Sequence, residues 1–120
     1  MKLGIIGSSS VNKNEVFNII GNFIHSLETE HDSIDTIIIG GNLKGVNAGA
    51  MEYATSLSFK YSLDLVDTRN NAMAVSNKSD VVLAIWNGDT RDKNWNLIES
   101  TIRLGIRVAI IIPEKTKIKQ

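Results

Sequence analysis

Cysteine is absent from this 120-residue chain, and proline occurs once, at Pro113. Without thiols there is no disulfide and no thiolate metal site. The two histidines, His25 and His31, have no ligand-like partner spacing, so no metal is expected, and no cofactor motif is evident. An excess of one charge is missing too: 13 Lys and Arg balance 13 Asp and Glu. Binding to nucleic acid through bulk positive charge is thereby disfavoured. The longest apolar runs, VVLAIW (81–86) and VAIIIP (108–113), fall far short of the ~20 residues that span a bilayer. The opening MKLGIIGSSS has too short an apolar core for a secretory signal. The expectation is a soluble cytoplasmic protein without a membrane partner.

What the chain does have is regular alternation. KLGII (2–6) is a short apolar run closed by Gly7. NEVFNIIGNFIHSL (14–27) places Val16, Ile20, Phe23 and Leu27 on one helical face, widened by Phe17 and Ile24. Asn12, followed three residues later by Glu15, has the pattern of a capping box. DTIIIG (35–40) reads as strand, and 46–60 as helix with Met51, Ala54 and Leu57 inward. SLDLV (62–66) is a third strand, TRNNAMAVSN (68–77) a short helix and DVVLAIW (80–86) a fourth strand. NWNLIESTIRLG (94–105) and RVAIII (107–112) complete the pattern as helix and strand.

Strands alternating with helices pair in parallel through crossover helices, and continuous apolar strands suit a sheet covered on both faces. Right-handed crossovers leave few orders. An α/β, Rossmann-like open parallel sheet of five strands, order 3-2-1-4-5, is expected, with helices on both faces. The flavodoxin-like order 2-1-3-4-5 is the alternative. The chain reads as one domain over 1–120, ending in the polar tail EKTKIKQ (114–120). Its length suffices to bury roughly two thirds of the unfolded surface.

In either order, ligands bind outside the carboxyl ends of the strands, near the reversal of strand order. The loops there read GSSSVN, GGNLKGVN and NGDTRDKN, after strands 1, 2 and 4. Their glycines let a ligand approach the backbone, their hydroxyls and amides bind, and helix N-termini favour anions. A glycine after a strand also simply turns the chain, and a serine before a helix also simply caps it. Trp86 either stacks on a base or plugs the core under helix 4. Arg69, after strand 3, either meets an anion or forms a surface salt bridge. Neither Gly-x-Gly-x-x-Gly nor the Gly-x-x-x-x-Gly-Lys-Ser/Thr phosphate loop is present.

These landmarks resemble those of the small single-domain branch of the SLOG superfamily. That group is related to the LOG phosphoribohydrolases and to the DNA-processing protein A fold. The family's Gly-Ser-Arg after strand 1 is matched by Gly7 and Ser8, with Ser9 for arginine. Its Gly-Gly-Ala-x-Gly-Ala-Asp is matched by Gly40, Gly41 and Gly45, with one extra residue and Asn47 for aspartate. Arg69 and Asn70 match an Arg-Asn pair, and Trp86, Asn87 and Gly88 match Trp-Asp-Gly. The family's following Gly-Thr is replaced by Lys93 and Asn94, and the LOG-type Pro-Gly-Gly-x-Gly-Thr-x-x-Glu is absent.

The resemblance spans 2–112 and implies a nucleotide or nucleotide-derived small molecule bound across strands 1, 2 and 4. Lys44 would add a positive charge to the cradle, and Thr90 a hydroxyl in the loop after strand 4. Positions charged in the family are neutral here, which favours a sensor or sequestering protein over an enzyme. The enzymatic alternative is a hydrolase of an N-glycosidic or phosphate bond using Asp89, Asp92, Glu52 or Glu99. A structural subunit without ligand is a second alternative. A homo-oligomer is expected, as for related folds. The composition rich in isoleucine, asparagine and lysine is associated with bacterial or phage origin.

Overall fold

The computed structural model describes residues 1–30, 33–42 and 44–113. His31 and the tail 114–120 lie outside them. Nine elements follow one another: β1 (Lys2–Gly7), α1 (Lys13–Thr29), β2 (Thr36–Gly40), α2 (Val46–Ser56), β3 (Ser62–Val66), α3 (Ala74–Lys78), β4 (Val81–Ile85), α4 (Lys93–Arg103) and β5 (Arg107–Ile111). All five strands are parallel, in the order β3-β2-β1-β4-β5. This is the expected Rossmann-like sheet, and the alternative order is excluded.

Side-chain alternation divides the apolar residues between two cores. Leu3 and Ile5 of β1 align with Ile37 and Ile39 of β2 and with Val81 and Leu83 of β4. They pack beneath α1 and α2, against Val16, Ile20, Ile24, Ala50 and Tyr53. The opposite parity, Ile6, Ile38, Val82 and Ala84, packs with Val75 of α3 and Ile98 of α4. Each fully buried isoleucine or leucine contributes about 1.5–3 kcal/mol relative to exposure. The interior strand β4 is buried at every residue, while Leu65 on edge strand β3 and Ile110 on edge strand β5 remain exposed.

The helix ends explain where these bounds differ from the sequence reading. Asn12 caps α1, its side chain accepting from Asn14 N at 2.9 Å. Ile24 lies at the centre of the buried face of α1, while Phe23 is half-buried and Phe17 exposed, edge-on to Tyr53. The second helix stops at Ser56 rather than 60, where Leu57 leaves the helical conformation and a separate turn follows, Lys60 N and Tyr61 N both donating to the Leu57 carbonyl. Gly105, with φ +79°, follows α4 and closes it. The third helix begins only at Ala74, since two side chains upstream claim the backbone: Asp67 Oδ1 accepts from Arg69 N and Asn71 Oδ1 from Met73 N. The buried hydroxyls of Ser76 and Thr101 meet at 2.7 Å and tie α3 to α4. Among the described residues, no helix is long and apolar enough to cross a membrane, and no His/Asp/Glu cluster could hold a metal ion.

Candidate functional site

The carboxyl ends of β1 and β4 join the start of α2 at one backbone junction. Ser8 N donates to the Ile85 carbonyl at 3.0 Å, and the Ser8 carbonyl accepts from Val46 N at 3.3 Å. A Cβ on Gly7 would run into the Ile85 carbonyl oxygen and come within 2.8 Å of Val46 Cγ2. A Cβ on Gly45, whose φ is +53°, would run into the carbonyls of Ser8 and Ser9. These two glycines make room for the chain's own backbone. Gly40 and Gly41 are different: the atoms nearest a Cβ would be Thr68 Cγ2 at 3.2 Å for Gly40 and the Val66 carbonyl at 3.6 Å for Gly41. A Cβ on Gly41 would thus make only ordinary contact, whereas one on Gly40 would press on side chains able to shift.

The loop after β4 spends its polar groups on itself. Asn87 Oδ1 accepts from Asp89 N, Asp89 Oδ1 from Arg91 N, and Asp92 Oδ1 from Asn94 N, each at 2.9 Å. Asn87 Nδ2 donates to both Ser10 Oγ and Asp92 Oδ2, and Asn87 N donates to the buried Ser8 hydroxyl at 3.0 Å. Trp86 stacks on Trp95 with ring centroids 4.5 Å apart and donates its indole N–H to the Asp89 carbonyl. Trp86, Asn87, Gly88 and Thr90 do not line the cleft described below, and Ser8's hydroxyl is taken up by Asn87 and Asp92.

Asp92 is the cap of α4 and the hub of this network. Burial works against its charge, but hydrogen bonds from Asn94 N, the Ser8 hydroxyl, Asn94 Nδ2 and Asn87 Nδ2 outweigh it and lower the pKa. A depressed carboxylate stabilises the fold above its unfolded pKa, about 3.9, and loses that contribution as pH falls through the folded value. The stability gap between wild type and Asp92→Ala should therefore be full at pH 6 and shrink steadily below about pH 4. Urea unfolding at a series of pH values measures it; a gap independent of pH would show that Asp92 acts by packing alone.

A cleft of about 290 Å³ opens outside the ends of β1 and β2, between α3 and α4. Its apolar wall includes Ile6, Val75 and Leu97, and its polar residues are Asn42, Asn47, Thr68, Lys93 and Asn94. Gly7 and Gly40 line it as well. A recess sharing Asn42 and Thr68 continues over the end of β3 and includes Gly41, Asp67 and Arg69. Arg69 is held there by Asp67, with contacts at 3.0 and 2.7 Å, and this pairing lowers the Asp67 pKa to about 2. Lys44 is exposed in the turn before α2, and Ser9 and Asn70 are exposed beside their strands.

No carboxylate lines the cleft itself among the described residues. Each candidate acid or base is engaged elsewhere. Asp89 pairs with Arg91 (3.0 Å), Glu52 with Lys13 (2.8 Å) and Glu99 with Arg103 (3.9 Å), while Asp92 caps α4. Lys93 stands at the first position of α4, with no partner for its ammonium among the described residues. The structure thus brings Gly7, Gly40 and Asn47 to the cleft and Gly41 and Arg69 to its margin. It adds Asn42, Thr68, Lys93 and Asn94, which the reading of loop motifs did not select. The signal for Lys93 and Asn94 was their position, at the start of a helix following the strand next to the reversal. Compared with known proteins, the chain matches no family model, no curated protein and no solved structure.

Proposed function

We propose that this protein binds a nucleotide or nucleotide-derived small molecule in the cleft and holds it without turnover, as a sensor or sequestering module of the SLOG kind. The observation that carries the reading is the lining: an ammonium, a hydroxyl and three carboxamides beside an apolar wall, with no carboxylate among the described residues. An apolar wall of Ile6, Val75 and Leu97 suits the flat face of a base, and Lys93 suits one phosphoryl group. The first turn of α2 carries no acidic residue, which leaves the helix dipole near Asn47 uncompensated by charge. Hydrolysis needs an acid or base within hydrogen-bond reach of the reacting atoms. The engaged carboxylates favour retention over cleavage. Self-association belongs to the same proposal, with Ile102, Leu104 and Ile110 exposed on the α4–β5 side where a second copy would sit.

A thermal-shift screen of nucleoside mono- and diphosphates, cyclic dinucleotides and ADP-ribose derivatives tests the reading. A ligand at a hundredfold excess over its Kd stabilises by about 2.7 kcal/mol, which for a domain of this size is a shift of roughly 10 °C. At least one such shift is expected, and chromatography after long incubation should return that ligand intact. Free base or ribose phosphate released over many turnovers would install the hydrolase reading instead. A screen without any shift would remove both.

A further inference from the structure

We propose that Asn47 and Asn94 are the specificity residues of the cleft, selecting ligands that present hydrogen-bond donors to two fixed carboxamide oxygens; this rests on the nucleotide-binding reading above. Both side chains line the cleft, and both are half-buried. Asn47 Nδ2 donates to the Asn42 carbonyl at 2.9 Å, and Asn94 Nδ2 donates to Asp92 Oδ1 at 3.0 Å. A carbonyl and a carboxylate only accept, so the amino end of each carboxamide has to face its partner, and neither amide can flip. Asp92 is itself fixed from the other side by Asn87 and Ser8, which removes any slack at Asn94. The atom left over in each case is the oxygen, and neither oxygen has a donor among the described residues.

Acceptors on half-buried side chains exchange hydrogen bonds with solvent water. A ligand that fills the cleft expels that water, and every acceptor it leaves unpaired weakens binding. Lys93 and Thr68 supply donors for a phosphoryl group, so the oxygens are left to the uncharged part of the ligand. On a nucleotide, two groups have this chemistry: the ribose hydroxyls and an exocyclic amino group on the base. A deoxyribose or a base without an amino group would fit the volume and fail the pairing.

Calorimetry on the intact protein at fixed salt, with four probes, separates these sources: AMP, 2′-deoxy-AMP, 2′,3′-dideoxy-AMP and purine riboside 5′-monophosphate. AMP is expected to bind most tightly, with about a tenfold loss for each donor that is read, the equivalent of one hydrogen bond. Loss confined to the deoxy probes assigns the oxygens to the sugar, and loss with the purine riboside assigns one to the base. Asn47→Leu and Asn94→Leu should bring the affinity ratios between probes toward one, a readout that general weakening of the loops would not produce. Equal affinities for all four probes in the wild type, within about twofold, would overturn the assignment while leaving nucleotide binding intact. No binding of any probe would overturn both.

Discussion

Replacing Gly7 by alanine is expected to cost the protein at least about 3 kcal/mol, a large part of the ~5–15 kcal/mol that holds a domain of this size together. The added methyl would meet the Ile85 carbonyl oxygen of β4, which is fixed by the sheet and already accepts from Ser8 N at 3.0 Å. On its other side it would meet Val46 Cγ2, buried at the start of α2. Neither neighbour is a flexible side-chain end, so relief requires separating β1 from β4, the two strands flanking the reversal of order. Overpacking of this kind is not relieved by a rotamer change. Gly41→Ala is the matched control: only the Val66 carbonyl comes near, at 3.6 Å, and φ there is not positive. Its stability should stay within about 0.5 kcal/mol of wild type. Urea unfolding followed by circular dichroism separates the two. Equal stabilities would mean that Gly7 is a turn residue and that the β1–β4 junction tolerates widening.

The contrast between these glycines marks what a linear reading can see. A parallel sheet covered on both faces was legible because Ile37–Ile39 and Val81–Ile85 are continuous apolar runs. The helical stretch over 68–73 was misread because residue type hides competition for the backbone. Asp67 and Asn71 bond to N–H groups two residues on, and that conformation delays the helix to Ala74. The same physics governs the loop after β4. Asparagine and aspartate there look like groups offered to a ligand, yet Asn87, Asp89 and Asp92 each fold onto their own loop. Gly7, Gly40, Gly41 and Gly45 are equivalent as letters, but Gly7 and Gly45 make room for backbone, Gly40 faces side chains and Gly41 meets only an ordinary contact. Only the third dimension assigns them.

Gly40→Val is expected to lower affinity for the nucleotide ligand at least a hundredfold, about 2.7 kcal/mol, while the protein stays folded. Gly40 is the last residue of β2, with extended-side backbone that any residue adopts, and valine is a good strand former. A Cβ there would stand 3.2 Å from Thr68 Cγ2 and 3.4 Å from Asn47 Nδ2. Those are side-chain atoms able to yield by a few tenths of an ångström, unlike the carbonyl that faces Gly7. The two methyls beyond that Cβ would stand in a cleft of only about 290 Å³ and crowd Asn47 away from the Asn42 carbonyl. Binding is thus blocked by volume and by loss of the fixed carboxamide together. Gly41→Val, bordering the outer recess rather than the cleft, should have an effect on the order of tenfold or less. Unfolding curves for both variants, beside titration calorimetry with whichever nucleotide stabilises the wild type most, give the comparison. A folded Gly40→Val protein that binds as the wild type does would place the ligand outside this cleft.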